Sequence, residues 1–110
     1  MFIRLATALS LLVLALAPAF ADPFNINVSS DESSMVLLTI TDMNYPDPKS
    51  AFSGSINSGQ LISVYINGDN GNNGHIQWKA TTADRQKCGS GDVNGLSSGS
   101  NVTVGTPSSC

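Results

Sequence analysis

The feature that most constrains the fold of this chain is an alternation of apolar and polar side chains, which recurs in short runs after residue 21. Apolar residues occupy every second position in residues 24–28, 61–67 and 75–82, and turn-forming residues separate these runs. A period of two is typical of half-buried β-strands, whereas an amphipathic helix repeats about every 3.6 residues. We find no sustained helical period in residues 22–110, so the pattern predicts an all-β fold.

Six short strands are expected along this part of the chain. Residues 35–40 are apolar at nearly every position, which predicts a central strand buried on both faces. Residues 52–56 form a weaker pattern, and the turn after them contains Gly59. The six expected strands are 24–28, 35–40, 52–56, 61–67, 75–82 and 101–106.

Two Gly-rich segments are predicted to be loops. The Asn- and Gly-rich residues 67–74 predict a hairpin loop, because Asn and Gly tolerate the positive φ angles that hairpin turns require. Residues 83–100 contain few apolar side chains and predict mostly loop, with Val93 and Leu96 as its anchors in the core.

Six strands with two-sided patterning favour a small β-sandwich of immunoglobulin-like architecture. A small open β-barrel is the alternative. A true immunoglobulin domain is excluded, because Trp78 precedes both Cys88 and Cys110 instead of lying between two cysteines.

Residues 1–21 carry the three parts of an export signal. Arg4 supplies the positive charge, residues 5–16 form the apolar region, and Ala19-Phe20-Ala21 is a small-x-small cleavage pattern. The alternative, a membrane anchor, would need about 20 apolar residues, and this run is shorter. The sequence thus predicts a cleaved signal helix and one secreted or periplasmic domain, residues 22–110.

The chain contains only two cysteines, Cys88 and Cys110. In the oxidising compartment that an export signal implies, an even number of cysteines indicates a disulfide. A domain of fewer than about 100 residues has a marginal core, so a covalent link is useful to it. Closing this loop would stabilise the fold by roughly 3 kcal/mol in the chain-entropy model.

The charge balance disfavours nucleic acid and membranes as partners. Without Arg4, four cations face eight acids, and the net charge is −4. The cations Lys79, Arg85 and Lys87 lie close in sequence, but Asp84 and Asp92 are interspersed among them. Phosphate-binding and anionic-lipid-binding surfaces require a basic patch, which this pattern does not provide.

Two motifs suggest catalytic chemistry, and each is incomplete. Residues 95–99 match G-x-S-x-G around Ser97, but no histidine follows to complete a triad. His75 could act as a base with Asp69, although a surface histidine is the simpler interpretation. A single histidine with two paired cysteines cannot supply a zinc site. The sequence predicts no catalytic residue, metal site or cofactor.

The loop of residues 69–74 partly resembles a calcium-binding loop. Asp69, Asn73 and Gly74 fit the D-x-[DN]-x-[DN]-G pattern. Gly71 lacks a side-chain oxygen, however, and Ala80 stands where the bidentate Glu belongs. A weaker calcium site that uses Asp69, Asn70 and backbone carbonyls is the alternative to a simple turn. Separately, Asn27 and Asn101 begin N-glycosylation sequons, which matter only in a host that glycosylates.

The predicted function is that of a secreted, non-catalytic binding module for a protein or glycan ligand. A structural subunit of an extracellular assembly that pairs through an exposed strand edge is the alternative, and a small enzyme or toxin is the third class. Exposed aromatic and polar side chains often anchor interfaces. The candidate binding surface comprises Tyr45, Asp69, His75, Gln77 and Lys79.

Overall fold

The computed structural model describes residues 23–44, 48–69 and 71–110, and the predicted signal at residues 1–21 lies outside them. The described residues form eight β-strands and no helix, so they contain no helix capable of crossing a membrane. The strands are β1 (Phe24–Ser30), β2 (Val36–Asp42), β3 (Lys49–Ile56), β4 (Leu61–Ile66), β5 (Gly74–Thr82), β6 (Lys87–Leu96), β7 (Asn101–Val104) and β8 (Ser108–Ser109).

These strands form two separate sheets. The three-stranded sheet has the order β4-β1-β7, and the five-stranded sheet has the order β3-β2-β5-β6-β8. All pairs are antiparallel except β1 with β7, which run parallel. The predicted all-β fold is therefore confirmed as a small two-sheet sandwich, and the sheets do not close into a barrel.

The core lies between the two sheets and is built from alternate residues. In β4, Val64 and Ile66 are buried while Leu61 and Tyr65 are exposed, as the alternation predicts. The same holds for β5 and β7. The buried apolar residues are Ile26, Val28, Val36, Leu38, Ile40, Ile56, Val64, Ile66, Ile76, Trp78, Ala80, Leu96, Val102 and Val104.

Strand β2 lies inside its sheet, between β3 and β5, as predicted. The prediction that both of its faces are buried is wrong. Leu38 and Ile40 point into the core, whereas the Leu37 side chain is 39% exposed on the opposite face. Met35 precedes the strand and is also exposed. The reason is that the sandwich has two layers only, so nothing in the described chain covers the far side of this sheet.

The segment between β4 and β5 does not form the predicted hairpin. Strand β4 belongs to the three-stranded sheet and β5 to the five-stranded sheet, so the loop carries the chain from one layer to the other. A tight turn does form at its tip, where the Asp69 N–H donates to the Asn73 carbonyl at 2.8 Å. Asn72 has a φ of 62°, a conformation that Asn tolerates.

The predicted loop over residues 83–100 is also wrong, because ten of these residues form β6. Glycines hid the pattern, since Gly is rare in strands. Gly91 faces the core opposite Trp78, and a Cβ there would lie 2.6 Å from Cε2 of the indole. The predicted anchors do hold, because Leu96 is buried and Val93 packs against the core.

The missing side chain of Gly89 leaves room for residues 105–107 in the same way. A Cβ on Gly89 would overlap the carbonyl oxygen of Gly105 and lie 3.0 Å from Cδ of Pro107. The chain that leaves β7 therefore passes against the inner side of β6 before it pairs as β8 at the edge of the sheet.

The predicted disulfide between Cys88 and Cys110 is confirmed, with a Cα–Cα separation of 4.9 Å. The Cys110 N–H also donates to the Gln86 carbonyl at 3.1 Å. The covalent link holds the C-terminal residues beside the start of β6, where β8 contributes only two residue pairs of ladder. A disulfide in this all-β domain is consistent with an extracellular location.

Candidate functional site

Three of the five predicted surface residues lie together on β5. His75, Gln77 and Lys79 alternate with core residues, so their side chains project from the outer face, the side of the five-stranded sheet that points away from the core. The register places Lys79 opposite Thr39 of β2 and Ser90 of β6. The structure thus brings these residues onto one polar surface.

The two other predicted residues do not join this surface. Tyr45 lies outside the described residues. Asp69 lies in the loop between the sheets, where its Oδ1 accepts hydrogen bonds from the N–H groups of Gly71 at 2.8 Å and Asn73 at 3.0 Å. This carboxylate therefore shapes its own turn, as Asx-turns do. Among residues 23–44, 48–69 and 71–110, no group of three or more His, Cys, Asp or Glu side chains could hold a metal ion.

His75 pairs with Asp92 of β6, and not with Asp69. His75 Nε2 lies 2.7 Å from Asp92 Oδ1, and Gln77 Nε2 donates to Asp92 Oδ2 at 2.9 Å. The Gln77 hydrogen bond, followed by that of His75, lowers the pKa of Asp92. Both partners are partly exposed, at 27% for His75 and 53% for Asp92. This network fixes three polar side chains at one end of the outer face.

A groove lies on the outer face, toward the end of the sheet that carries the turn between β5 and β6. We call it the cationic groove, because Lys79 and Arg85 both line it and no acidic side chain of the described residues does. The exposed Leu37 contributes an apolar side chain to its lining, and Thr39 and Thr81 line it as well. The full set of lining residues is Leu37, Leu38, Thr39, Ser53, Gly54, Lys79, Thr81 and Arg85.

Arg85 reaches this groove from the tight turn between β5 and β6. Its φ is 62°, in the left-handed region that non-glycine residues rarely adopt. Its N–H donates to the Thr82 carbonyl at 2.8 Å, which closes the turn. Asp84 holds the turn from the other side, because its Oδ1 accepts from Thr82 Oγ1 at 2.6 Å and from the Gln86 N–H at 3.1 Å. These bonds lower the pKa of Asp84.

Sequence reasoning missed Leu37, Arg85 and Asp92 as parts of this surface. The signal for Asp92 lies in the alternation of residues 88–94, where polar side chains occupy every second position between glycines and Val93. That alternation is typical of a strand with Asp92 on its polar face, and only the register of β6 with β5 places Asp92 opposite Gln77. The conformation of Arg85 has no sequence signal, since Asn or Gly is the usual residue at a positive φ.

The G-x-S-x-G match forms an ordinary turn. Ser97 Oγ lies 3.3 Å from Ser100 Oγ, and the Ser97 N–H donates to the same oxygen at 2.9 Å. Gly95 and Gly99 have φ angles of 70° and 83°. The geometry links this serine to another serine and not to the His75–Asp92 pair.

The two sequon asparagines lie side by side on the outer side of the three-stranded sheet. Asn27 of β1 and Asn101 of β7 are direct register partners, and so are Ser29 and Thr103. Asn101 is exposed and Asn27 is half-buried. A glycan on one would stand directly beside the other.

No protein-family model, curated protein or solved structure matches this chain. The chemistry of the outer face therefore rests on its own geometry. Lys79 and Arg85 offer charged donors, the Thr and Ser hydroxyls donate or accept, and Leu37 offers apolar contact. Such a set can bind an anionic group and orient it.

Proposed function

We propose that this protein is a secreted, non-catalytic binding module, built on an immunoglobulin-like β-sandwich, that binds a carboxylate-bearing ligand in the cationic groove. The observation that carries the proposal is the convergence of Lys79 and Arg85 on a groove that also contains the exposed Leu37. Interfaces of this kind combine a charged donor with an apolar anchor. The disulfide supports the secreted location.

The backbone of Arg85 supports a role for its side chain. A non-glycine residue at a positive φ costs about 1 kcal/mol or more, and such residues cluster at binding sites. Glycine at this position would remove the cost and keep the turn, whose hydrogen bonds come from Thr82, Asp84 and Gln86. The place of Arg85 in the lining of the groove gives a reason for an arginine here that the turn itself does not supply.

The charge distribution points to an anion. Residues 22–110 contain four cations and eight acids, yet two of the cations line the groove. The nearest acid in sequence, Asp84, is engaged by Thr82 and Gln86 in the turn. A carboxylate is the matched partner, because Arg binds it through two parallel hydrogen bonds.

Calorimetric titration with polygalacturonate and with polyglutamate tests the proposal, with neutral dextran as the control polymer. We expect at least one of the two polyanions to bind and dextran not to bind. Arg85→Gly should leave the fold intact and weaken binding about ten- to a hundredfold, which corresponds to the loss of one charged hydrogen bond.

Lys87→Ala is the matched control, since it removes the same charge from a residue that does not line the groove. It should leave the affinity within about twofold, as expected for an exposed charge outside the contact. No binding of either polyanion, or equal losses in the Arg85→Gly and Lys87→Ala variants, would overturn the proposal.

A further inference from the structure

The free edge of β4 is unusual among the strand edges of this domain. Strand β4 lies at the end of the three-stranded sheet and pairs, within the described chain, with β1 only. Alternate residues of an edge strand direct their N–H and C=O groups away from the sheet, where another strand can pair with them.

The other edges carry features that discourage pairing. Strand β3 begins at Lys49, and its ladder with β2 is interrupted by a register shift at Ile40/Thr41. Strand β7 has only four residues. At the far end of the five-stranded sheet, β8 pairs only with the start of β6. The rest of β6 contains three glycines and the charged Asp92, and its ladder with β5 is interrupted by a register shift at Gly74/Ile76. Lysines, bulges and short strands are the usual protections of a sheet edge.

Strand β4 has none of these protections. Its sequence, Leu-Ile-Ser-Val-Tyr-Ile, contains no charge, proline or glycine, and it is rich in residues that favour strands. Leu61 is 62% exposed and Tyr65 is 61% exposed, both on the side that points away from the core. An uncharged edge with exposed apolar side chains is the pattern of a strand that pairs with another chain.

We propose that β4 pairs antiparallel with the β4 of a second copy of this chain, about a two-fold axis at Ser63. The outward side chains of β4 are Leu61, Ser63 and Tyr65, with Ser63 midway between the other two. An antiparallel partner centred there places Leu61 opposite Tyr65 of the second copy, and Tyr65 opposite its Leu61. The strand is therefore complementary to itself, which is the requirement of a two-fold interface.

The same register preserves the two faces of the sheet. Ile62 and Val64 also exchange places across the axis and remain on the core side, so the three-stranded sheets of two copies join into one six-stranded sheet. Aromatic–aliphatic cross-strand pairs stabilise such a ladder. The strand carries no charge that would oppose its own copy, although the chain has a net charge of −3.

The contact involves one six-residue strand from each copy, which is small beside the roughly 1,200–2,000 Å² that stable complexes bury. The dimer is therefore reversible and depends on concentration. Sedimentation velocity from micromolar to near-millimolar protein tests this, and we expect a monomer–dimer equilibrium.

Ser63→Lys tests the register, because it places two like charges opposite each other at the axis. We expect the dimer dissociation constant to rise about fivefold or more, as direct like-charge pairs and edge lysines oppose strand pairing. Thr103→Lys is the matched control: it adds the same charge to the outward side of the same sheet, on β7. That variant should dimerise like the unmodified chain.

Cysteine cross-linking gives a positive readout that does not depend on weakened association. Ser63→Cys should form a disulfide between two copies under mild oxidation, and Thr103→Cys should not. Mass spectrometry of peptides prepared without reductant identifies which cysteines are linked. A chain that stays monomeric at every concentration would overturn self-pairing. This would hold even if β4 were found to pair with a different protein. A dimer that Ser63→Lys and Thr103→Lys weaken equally would overturn it as well.

Discussion

Substitution of Gly89 by alanine tests the packing of β6 directly. In a strand with free space, Gly→Ala stabilises a protein by about 0.4–1 kcal/mol, because it restricts the unfolded chain. At Gly89 the new Cβ would overlap the Gly105 carbonyl and lie 2.9 Å from its carbon. Both neighbours are backbone atoms, so the clash cannot be relieved by rotating a side chain.

The segment that would have to move is held at several points. The Thr106 N–H donates to Glu32 Oε1 at 2.8 Å, and the Cys88–Cys110 disulfide ties down the chain after it. Overpacking of a well-packed site costs about 1–3 kcal/mol, and the fixed backbone places Gly89→Ala at the upper end, about 3 kcal/mol. For a domain of this size, that loss lowers Tm by about 12–24 °C.

Urea unfolding followed by the fluorescence of Trp78, the only tryptophan, measures this loss. Ser90→Ala is the control, because Ser90 is the next residue of β6, is exposed and points to the outer face. Its effect should stay within about 0.5 kcal/mol, as for most surface changes. Equal stability of Gly89→Ala and Ser90→Ala would show that residues 105–107 do not pack against β6 at this position.

Two further predictions concern the disulfide at the C-terminal end and the carboxylate of Glu32. Reduction of the Cys88–Cys110 disulfide should lower the free energy of unfolding by about 3 kcal/mol and accelerate hydrogen exchange in residues 87–110. Unchanged exchange in these residues would show that the disulfide does not hold them in place. The Thr106 N–H lowers the pKa of Glu32, so its stabilising effect is present above its ordinary pKa of about 4.3 and is lost as pH falls. Glu32→Gln keeps an acceptor oxygen but does not titrate. Denaturant unfolding should therefore show a smaller decrease in the free energy of unfolding from about pH 5 to about pH 3 for this variant than for the unmodified chain. Equal decreases would contradict the role of Glu32.

The sequence alone predicted most strands and their inward faces. In β4 and β5 each apolar residue expected in the core is buried or packed against it, because a period of two sends alternate side chains to opposite faces. The disulfide was also predictable, since two cysteines allow one intramolecular pairing. The faces of the strands depend on neighbouring residues, and the pairing depends on the number of cysteines, so both can be read from the sequence.

Strand β6 shows where that reasoning fails. Its Gly89 and Gly91 carry no side chain, so the apolar face of the strand is absent from the sequence. The space is filled by Trp78 and by residues 105–107, which come from elsewhere in the chain. A glycine that is unfavourable in an isolated strand becomes necessary once a second segment occupies its side-chain position.

The candidate site divides in the same way. The alternation of β5 placed His75, Gln77 and Lys79 on one face, and the structure agrees. Their partners Asp92 and Arg85 became visible only with the pairing of β5 and β6 and with the conformation of the turn between them. Which strands pair, and which edges stay free, depends on contacts between distant segments, and local patterns do not encode these contacts. The sequence therefore determined the faces of the strands, and the tertiary structure determined which faces meet.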